Sequence, residues 1–334
     1  MSSVDQFTLR SITQDEIPRV KQFVKQVFQV DRDGYEDWYE NWVEQWGSER
    51  VPTVLVAERQ VNLVGVAVSH YNAFHPHWVE VMVGVHPNFR RQGLGRWLHQ
   101  ALLQASSLQP HHLGTNGSYY RGNDHAEAFL FALGYQHTLD CHCLELDLQG
   151  FDFSHHLTLP SLPECNHLKL VSFTDLFTHA EMPQHVSHFL AYRYGEEHFW
   201  SPPQPLEHPV WKDFPLKGVL PALSFGLLTD DRIVGAATAC IQGNDTLDMM
   251  WGYISRQYSI ETAGLLLQTL YAHQFKAARA RGLTRGDIEV DTTDLVIFSL
   301  FHWFPIEKAT VWRILQKPRT TSNHSGAADD LNCL

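Results

Sequence analysis

The sequence predicts an α/β (α+β) protein of two tandem domains, each a mixed, mostly antiparallel sheet flanked by helices. Three observations predict it. The 334 residues suit two domains of ordinary size. Short strand-patterned runs alternate with helix-patterned ones. After residue 166 the same order of runs begins again.

Taken in order, Phe7-Thr8-Leu9-Arg10 alternates as a strand, and Thr13 and Asp15 are helix-entry residues before Ile17 to Phe28. A second helix carries Tyr35, Trp38, Tyr39, Trp42 and Trp46 at spacings of three and four, a packing stripe or the wall of an acceptor cleft. Val54 to Ala57 is a strand, Glu58-Arg59-Gln60 its turn, and Val61 to Ser69 the hairpin partner. Glu80 to Val85 is the third main strand, followed by a turn and a helix from about Gly93 to Ser106. A strand near Leu113 to Gly117, a helix from Asp124 to Leu133 capped by Gly134, and one or two strands over Tyr135 to Leu148 close the unit.

Gln149 to Asn166 breaks the pattern with Gly150, Pro160 and Pro163. The expected layout is therefore a first domain over 1–150, a linker over 151–166, a second domain over 167–318 and a disordered polar tail over 319–334. In the second domain Leu168 to Val171 repeats the first strand, and Asp175 to Tyr194 the first helix. Ser201 to Phe214 is a proline-rich insertion, and Leu223 to Ile241 repeats the hairpin around Thr229 to Arg232. An offset of 168 lays Glu80 to Val85 over Asp248 to Tyr253, with an acid, a methionine and a glycine in register. It also lays Asn123 over Asp291 and Phe129 over Ile297.

Composition narrows the function. The apolar share of 44% and charged share of 19% are those of a globular chain. No apolar stretch at the N-terminus reads as a signal peptide, and no window reaches the length that crosses a bilayer. A cytoplasmic protein without membrane partners is expected. Five scattered cysteines make no disulfide framework, and Cys141 and Cys143 lack the second pair that a metal site needs. The 21 histidines fall in no zinc-enzyme pattern, so no metal is expected. A net charge of -12 disfavours nucleic acid and suits a cationic or neutral small molecule.

One segment runs against that acidic field: Val83-Gly84-Val85-His86-Pro87-Asn88-Phe89-Arg90-Arg91-Gln92-Gly93-Leu94-Gly95-Arg96. Here a strand ends, the chain turns at Pro87, and a helix starts among glycines flanked by arginines. Helix starts offer amide hydrogens without internal partners and the positive end of the dipole. Glycines let that backbone approach a pyrophosphate, and Arg90, Arg91 and Arg96 add charge.

Arg90-Arg91-Gln92-Gly93-Leu94-Gly95 resembles the Q/R-x-x-G-x-G/A signature of the GNAT superfamily of acyl-CoA-dependent N-acyltransferases, and Val85-His86-Pro87 resembles its V-x-P approach. Asn123 to Ala126 and Leu133-Gly134-Tyr135 resemble its second motif. The likeness covers residues 7–148 and, more loosely, 167–315. It implies acetyl-CoA as co-substrate, with the backbone of Val83 and Val85 along the pantetheine arm. It further implies the amides of Gln92, Gly93, Leu94, Gly95 and Arg96 on the pyrophosphate, Asn123 on the arm, and Phe129 at the acyl end.

Amine acetylation needs a base for the amine and an acid for the thiolate. The resemblance points to a strand glutamate as base. Glu80 lies on that strand, one residue out of the commonest register at Val79, and a β-bulge would restore its face. Leu130 stands where the family places a tyrosine acid, which leaves Tyr119, Tyr120 or Tyr135, with Tyr120 preferred, or an unassisted thiolate. In the second domain the offset of 168 sets Tyr258, Glu261 and Ala263 over Arg90, Gly93 and Gly95, so that half is not expected to bind CoA in the usual way. The function so implied is acetyl transfer to a primary amine of a small cationic acceptor. Two alternatives stay open: a non-catalytic acyl-CoA sensor or assembly module, and a peptide or protein N-terminal acetyltransferase.

Overall fold

The structure, a computed structural model, describes residues 6–31, 36–51, 53–106, 108–212 and 214–319. β1 (Thr8–Ser11) leads into a capped turn, where the Glu16 carboxylate accepts from the amide and hydroxyl of Thr13. Then come α1 (Ile17–Asp31), α2 (Glu36–Glu44), β2 (Thr53–Arg59), β3 (Asn62–Tyr71) and β4 (Trp78–Val85). The β2–β3 turn sits at Gln60 and Val61, one step past the expected triplet, with Gln60 at φ 60°. After β4 follow α3 (Leu94–Ala105), β5 (Gly114–Tyr120), α4 (Asp124–Ala132) and a single strand β6 (Gln136–Asp147). On the aromatic stripe, Tyr39 and Trp42 are buried against Phe28 and Val68, while Tyr35 and the Trp38 side chain lie outside the described residues.

The second half comprises β7 (Lys169–Ser172), α5 (Phe173–Leu176), α6 (Met182–Glu197), β8 (Phe225–Thr229), β9 (Arg232–Gln242) and β10 (Thr246–Ile254). It ends with α7 (Ile260–Arg279), β11 (Arg285–Asp291), α8 (Leu295–Ser299) and β12 (Ile306–Pro318). The linker is packed rather than loose. Phe153 and Cys165 are buried with α7, and Arg279 reaches back to the carbonyls of Leu148, Gln149 and Phe151. Of the tail, only Arg319 is described; its amide bonds to Leu113 O at 2.7 Å.

Each half contributes its mixed, mostly antiparallel sheet, and the two are joined edge to edge. One twelve-stranded sheet runs β1-β2-β3-β4-β5-β12-β6-β11-β10-β9-β8-β7. The last strand of each half has crossed over: β12 lies between β5 and β6, and β6 lies between β12 and β11, all antiparallel. Each half is thus finished by the other's final strand. α1, α2, α5 and α6 cover one face, against Met82, Leu139 and Cys141 in the first half and Ala236 and Tyr253 in the second. α3 and α7 cover the other, against Ala67 and Val64 and against Leu144, Met249 and Ile288.

Exchange of strands leaves no room at the crossing. A Cβ added to Gly114 would lie 2.1 Å from Lys317 O and 2.9 Å from Pro318 Cα, both on β12. Gly114→Ala is therefore expected to cost about 1–3 kcal/mol, read as a lower midpoint in thermal or urea unfolding.

The repeat is real, but its register shifts. Both hairpins carry an extra residue at the same place, Val64 between Leu63 and Gly65 and Val234 between Ile233 and Gly235, at an offset of 170. His70 pairs with Glu80 and Cys240 with Asp248, so those two acids do correspond. Beyond them β10 has a β-bulge at Met250, whereas β4 is regular. The bulge expected in β4 is thus in β10, and Gly84 corresponds to Tyr253 rather than Gly252. The two glycines even face opposite ways. A Cβ on Gly84 would approach Phe28 on α1 at 3.3 Å, and one on Gly252 would collide with Tyr271 on α7 at 2.1 Å. Likewise Asn123 corresponds to Asp294, not Asp291, because each caps its helix: Asn123 Oδ1 accepts from Ala126 N and Asp294 Oδ1 from Ile297 N, both at 3.1 Å. Phe129 then falls on Leu300 instead of Ile297.

Candidate functional site

β4 and β5 pair in parallel only at Trp78–Gly114, Val79–Thr115 and Glu80–Asn116, and then diverge. The far edge of β4 from Val81 to Val85 faces the resulting cleft, a cavity of about 720 Å³. An unpaired strand edge is a template for an extended, amide-bearing chain. Val83 and Val85 line this edge; Asn123, Phe129 and Leu130 line the opposite wall with Tyr119 and Ser118 of β5. Phe28 and Tyr39 line it too, so the cavity passes through the split to the face that α1 and α2 cover.

The mouth is shaped by two left-handed residues, Arg91 at φ 64° and Gly93 at φ 84°, which swing the chain into α3. Gly93 has no side chain to cap the helix, and the first intrahelical bond runs from Trp97 N to Gly93 O at 3.0 Å. Leu94, Gly95 and Arg96 therefore have no helical carbonyl behind their amides. Arg90, Arg91 and Arg96 line the same mouth. Arg90 Nε donates to Val85 O at 3.0 Å, which holds the arginine against the end of β4. Gly95 is small for a packing reason: a Cβ there would stand 3.1 Å from the Phe129 ring. Positive charge, amides and a narrow apolar throat fit a phosphate-ended, apolar-armed ligand.

Glu80 lies on the α1/α2 face with Met82, without any bulge. Its Oε2 is 2.7 Å from His70 Nδ1, and its Oε1 accepts from Asn72 Nδ2 at 3.2 Å. His70 in turn stacks on Trp42, with centroids 4.6 Å apart. Tyr120 is not in the cleft. It packs on Trp312 at 4.4 Å and lines a second, open groove of about 1120 Å³ between the halves. That groove is rich in carboxylates, Glu145, Asp248, Asp287, Glu289 and Glu307, beside Arg121, Arg285 and Lys308. Burial raises Asp287 and Glu289 above the usual carboxylate range, helped by their acidic neighbours.

One cleft residue, His99, and one residue behind the cleft, Arg313, escaped the sequence reading. His99, buried on α3, contacts the Tyr135 hydroxyl at 3.0 Å, which contacts Thr115 Oγ1 at 2.8 Å. Its polar position on an otherwise apolar helix face was the only signal. Arg313 comes from β12, paired with Tyr119 in the sheet, and no local pattern announces it. Its Nη1 is 3.4 Å from the Tyr119 hydroxyl and 3.1 Å from Glu127 Oε1, and its Nε is 2.9 Å from Asp140 Oδ1.

Burial lowers His99 to about 4, and burial lowers His198 likewise to about 4. Both are neutral in the folded protein near neutrality. As pH falls below about 6.5 the unfolded chain takes up their protons and the folded one does not, so stability present above 6.5 is lost toward pH 4. Each is expected to contribute up to about 1.4 kcal/mol per pH unit in that window. Melting curves at stepped pH check this, and His99→Gln should flatten the slope.

The second half departs from the first at the equivalent mouth. Seven residues separate Val85 from Gly93, but four separate Ile254 from Ser259. Ser259, not Glu261, thus stands in the place of Gly93. Its hydroxyl accepts from Thr262 N at 3.1 Å, so the helix start caps itself, and exposed Glu261 adds negative charge in the first turn. Among the described residues no group of three or more His, Cys, Asp or Glu is placed to hold a metal, and no helix is long and apolar enough to cross a membrane.

A family model described as the acetyltransferase (GNAT) family matches residues 17–142. A GCN5-related N-acetyltransferase from Sphaerobacter thermophilus is similar in structure at 16% identity and TM-score 0.61, covering 93% of this chain and 96% of that one. A tandem GNAT protein from the clavulanic acid biosynthesis pathway is similar at 13% identity and TM-score 0.52, covering 93% and 98%. A probable N-acyltransferase from Enterococcus faecalis V583 follows at 11% identity and TM-score 0.51, covering 93% and 72%. These likenesses show that the fold spans both halves. No curated protein sequence matches.

Proposed function

We propose that the first half, of which residues 17–142 match the acetyltransferase (GNAT) family model, transfers acetyl from acetyl-CoA to a primary amine of a small cationic acceptor. The observation that carries the reading is the cleft itself. At one end lie three arginines and a helix start without its own cap; along its side runs the unpaired edge of β4; at its far end it opens toward the face bearing Glu80.

In this reading the amides of Leu94 to Arg96 and the arginines hold the pyrophosphate, Val83 and Val85 pair with the pantetheine arm, and Asn123 and Phe129 bound its inner end. Acetyl-CoA supplies the activated carbonyl and a thiolate leaving group. The acceptor comes from the α1/α2 side and attacks as a neutral amine. Its proton passes through water to Glu80, whose carboxylate His70 and Asn72 hold in place. The acidic groove on that face supports a cationic acceptor by raising its local concentration. Loss of the helix-start pocket in the second half supports a single site of transfer per chain.

Leu130, a hydrocarbon where the resemblance places an acid, favours a second reading as an acyl-CoA-binding module. Thiol release from acetyl-CoA with spermidine, tobramycin and a short peptide separates the two. Turnover of spermidine or tobramycin supports the proposal. Tight CoA binding with no turnover supports the module, and turnover of the peptide alone points to N-terminal acetylation.

A further inference from the structure

We infer that the second half is a positioning element for the base of the first: through the loop between β3 and β4 it fixes the amide of Asn72, and with it the Glu80 carboxylate that receives the amine proton. The inference rests on the acyl-transfer reading above and deepens it, because it gives the half without a helix-start pocket a part in the same reaction.

Glu80 has two polar supports of different origin. His70 is held inside the first half, stacked on Trp42 of α2. Asn72 opens the loop over residues 72–77, and that loop sets the orientation of its side chain. Asn72 Oδ1 accepts from Phe74 N at 2.9 Å and from His75 N at 3.2 Å, which leaves Nδ2 to donate to Glu80 Oε1 at 3.2 Å. An asparagine bonded to the backbone two and three residues on turns as the loop turns.

The loop in turn is gripped by the second half. Phe74 is buried in a cluster with Ala191 of α6 and Trp211, its ring centroid 4.4 Å from that indole. Gln204 N donates to Phe74 O at 2.9 Å, and Gln204 Nε2 to Ala73 O at 3.3 Å. His75 is held at both ring nitrogens. A carbonyl can only accept, so Nδ1 donates to Ser201 O at 2.5 Å, and Nε2 accepts from the Tyr194 hydroxyl at 2.7 Å. Burial lowers His75 below the usual imidazole range, which keeps the ring in that neutral form. Such a chain of contacts bears on rate, since about 1 Å of misplacement at a reacting centre can cost about 100-fold.

The test uses the full chain with acetyl-CoA and the best amine among spermidine, tobramycin and the peptide. Asn72→Ala and Tyr194→Phe are each expected to lower kcat by about 5- to 20-fold and to leave KM for acetyl-CoA within about twofold. Gln204→Ala, which removes a loop contact without touching α6 or His75, should act in the same direction. Losses that act through one carboxylate do not add. In an Asn72→Ala or a Glu80→Gln background, Tyr194→Phe should therefore change kcat by less than about twofold, whereas a general loosening of the fold would lower every background alike. If Tyr194→Phe and Gln204→Ala both keep the parent kcat, or if Tyr194→Phe costs as much in those backgrounds as in the parent, the inference is overturned while the acyl-transfer reading stands. Should Tyr194→Phe lose its melting transition, the same comparison made with Gln204→Ala decides. If Glu80→Gln keeps the parent kcat, the assignment of the base fails and this inference with it. If the parent binds acetyl-CoA by calorimetry but turns over none of the amines, the acyl-transfer reading itself fails and takes the inference along.

Discussion

Gly93→Glu is expected to weaken acetyl-CoA binding by about 30-fold or more while the protein stays folded. Two costs act together. A side chain at φ 84° strains one of the two left-handed residues that turn the chain into α3, at about 1–2 kcal/mol. A carboxylate at the mouth also repels the diphosphate, at about 1 kcal/mol or more even in a solvated setting. Each 1.4 kcal/mol is tenfold in affinity. Calorimetric titration with CoA reads the loss directly, and a single sharp melting transition without ligand, lowered by no more than the few degrees that the strain accounts for, separates it from unfolding. Gly93→Ala is the control: it keeps the strain without the charge, and should fall between the two. Unaltered affinity in Gly93→Glu would remove the diphosphate from this loop.

The second large effect concerns the other end of the chain. Ending the protein at Pro305 is expected to abolish cooperative folding of both halves, although every residue of the cleft's motifs remains. Without β12, β5 and β6 lose their common neighbour and Trp312 and Leu315 leave the interior. Two long strands would then present bare edges in the middle of a sheet. Expression as aggregate, or a melting curve without a sharp transition, is the expected outcome. A first half cut at residue 150 that folds as a stable monomer and binds CoA would contradict it.

Sequence reading went furthest where structure is local. The turn and helix start between Val85 and Arg96 and the helix end at Gly134 are written in adjacent residues and stand where the residues put them, and the first hairpin turn falls within one residue of its expected place. It went astray where structure depends on partners far along the chain. β6 and β12 share one strand pattern, so nothing in either tells which half it completes. A single-residue bulge at Met250 made Gly252 match Gly84 in the sequence while pointing it at Tyr271. The shortened loop before Ser259 hid behind the same fixed offset. The bulge that register counting asked for at Glu80 is absent, because β4 stays regular against β3, and Glu80 shares the α1/α2 face with Met82.

Crossed final strands also set an order of events during synthesis. A ribosome delivers the helix start at Gly93 early, yet the strand that must lie against β5 emerges only with residues 306–318. Until then the nascent first half waits with an unfinished border, a state in which chaperones or neighbouring nascent chains compete for it. A second half that no longer keeps its own helix-start pocket is nonetheless one that the gene cannot discard, since it carries the closing piece of its partner.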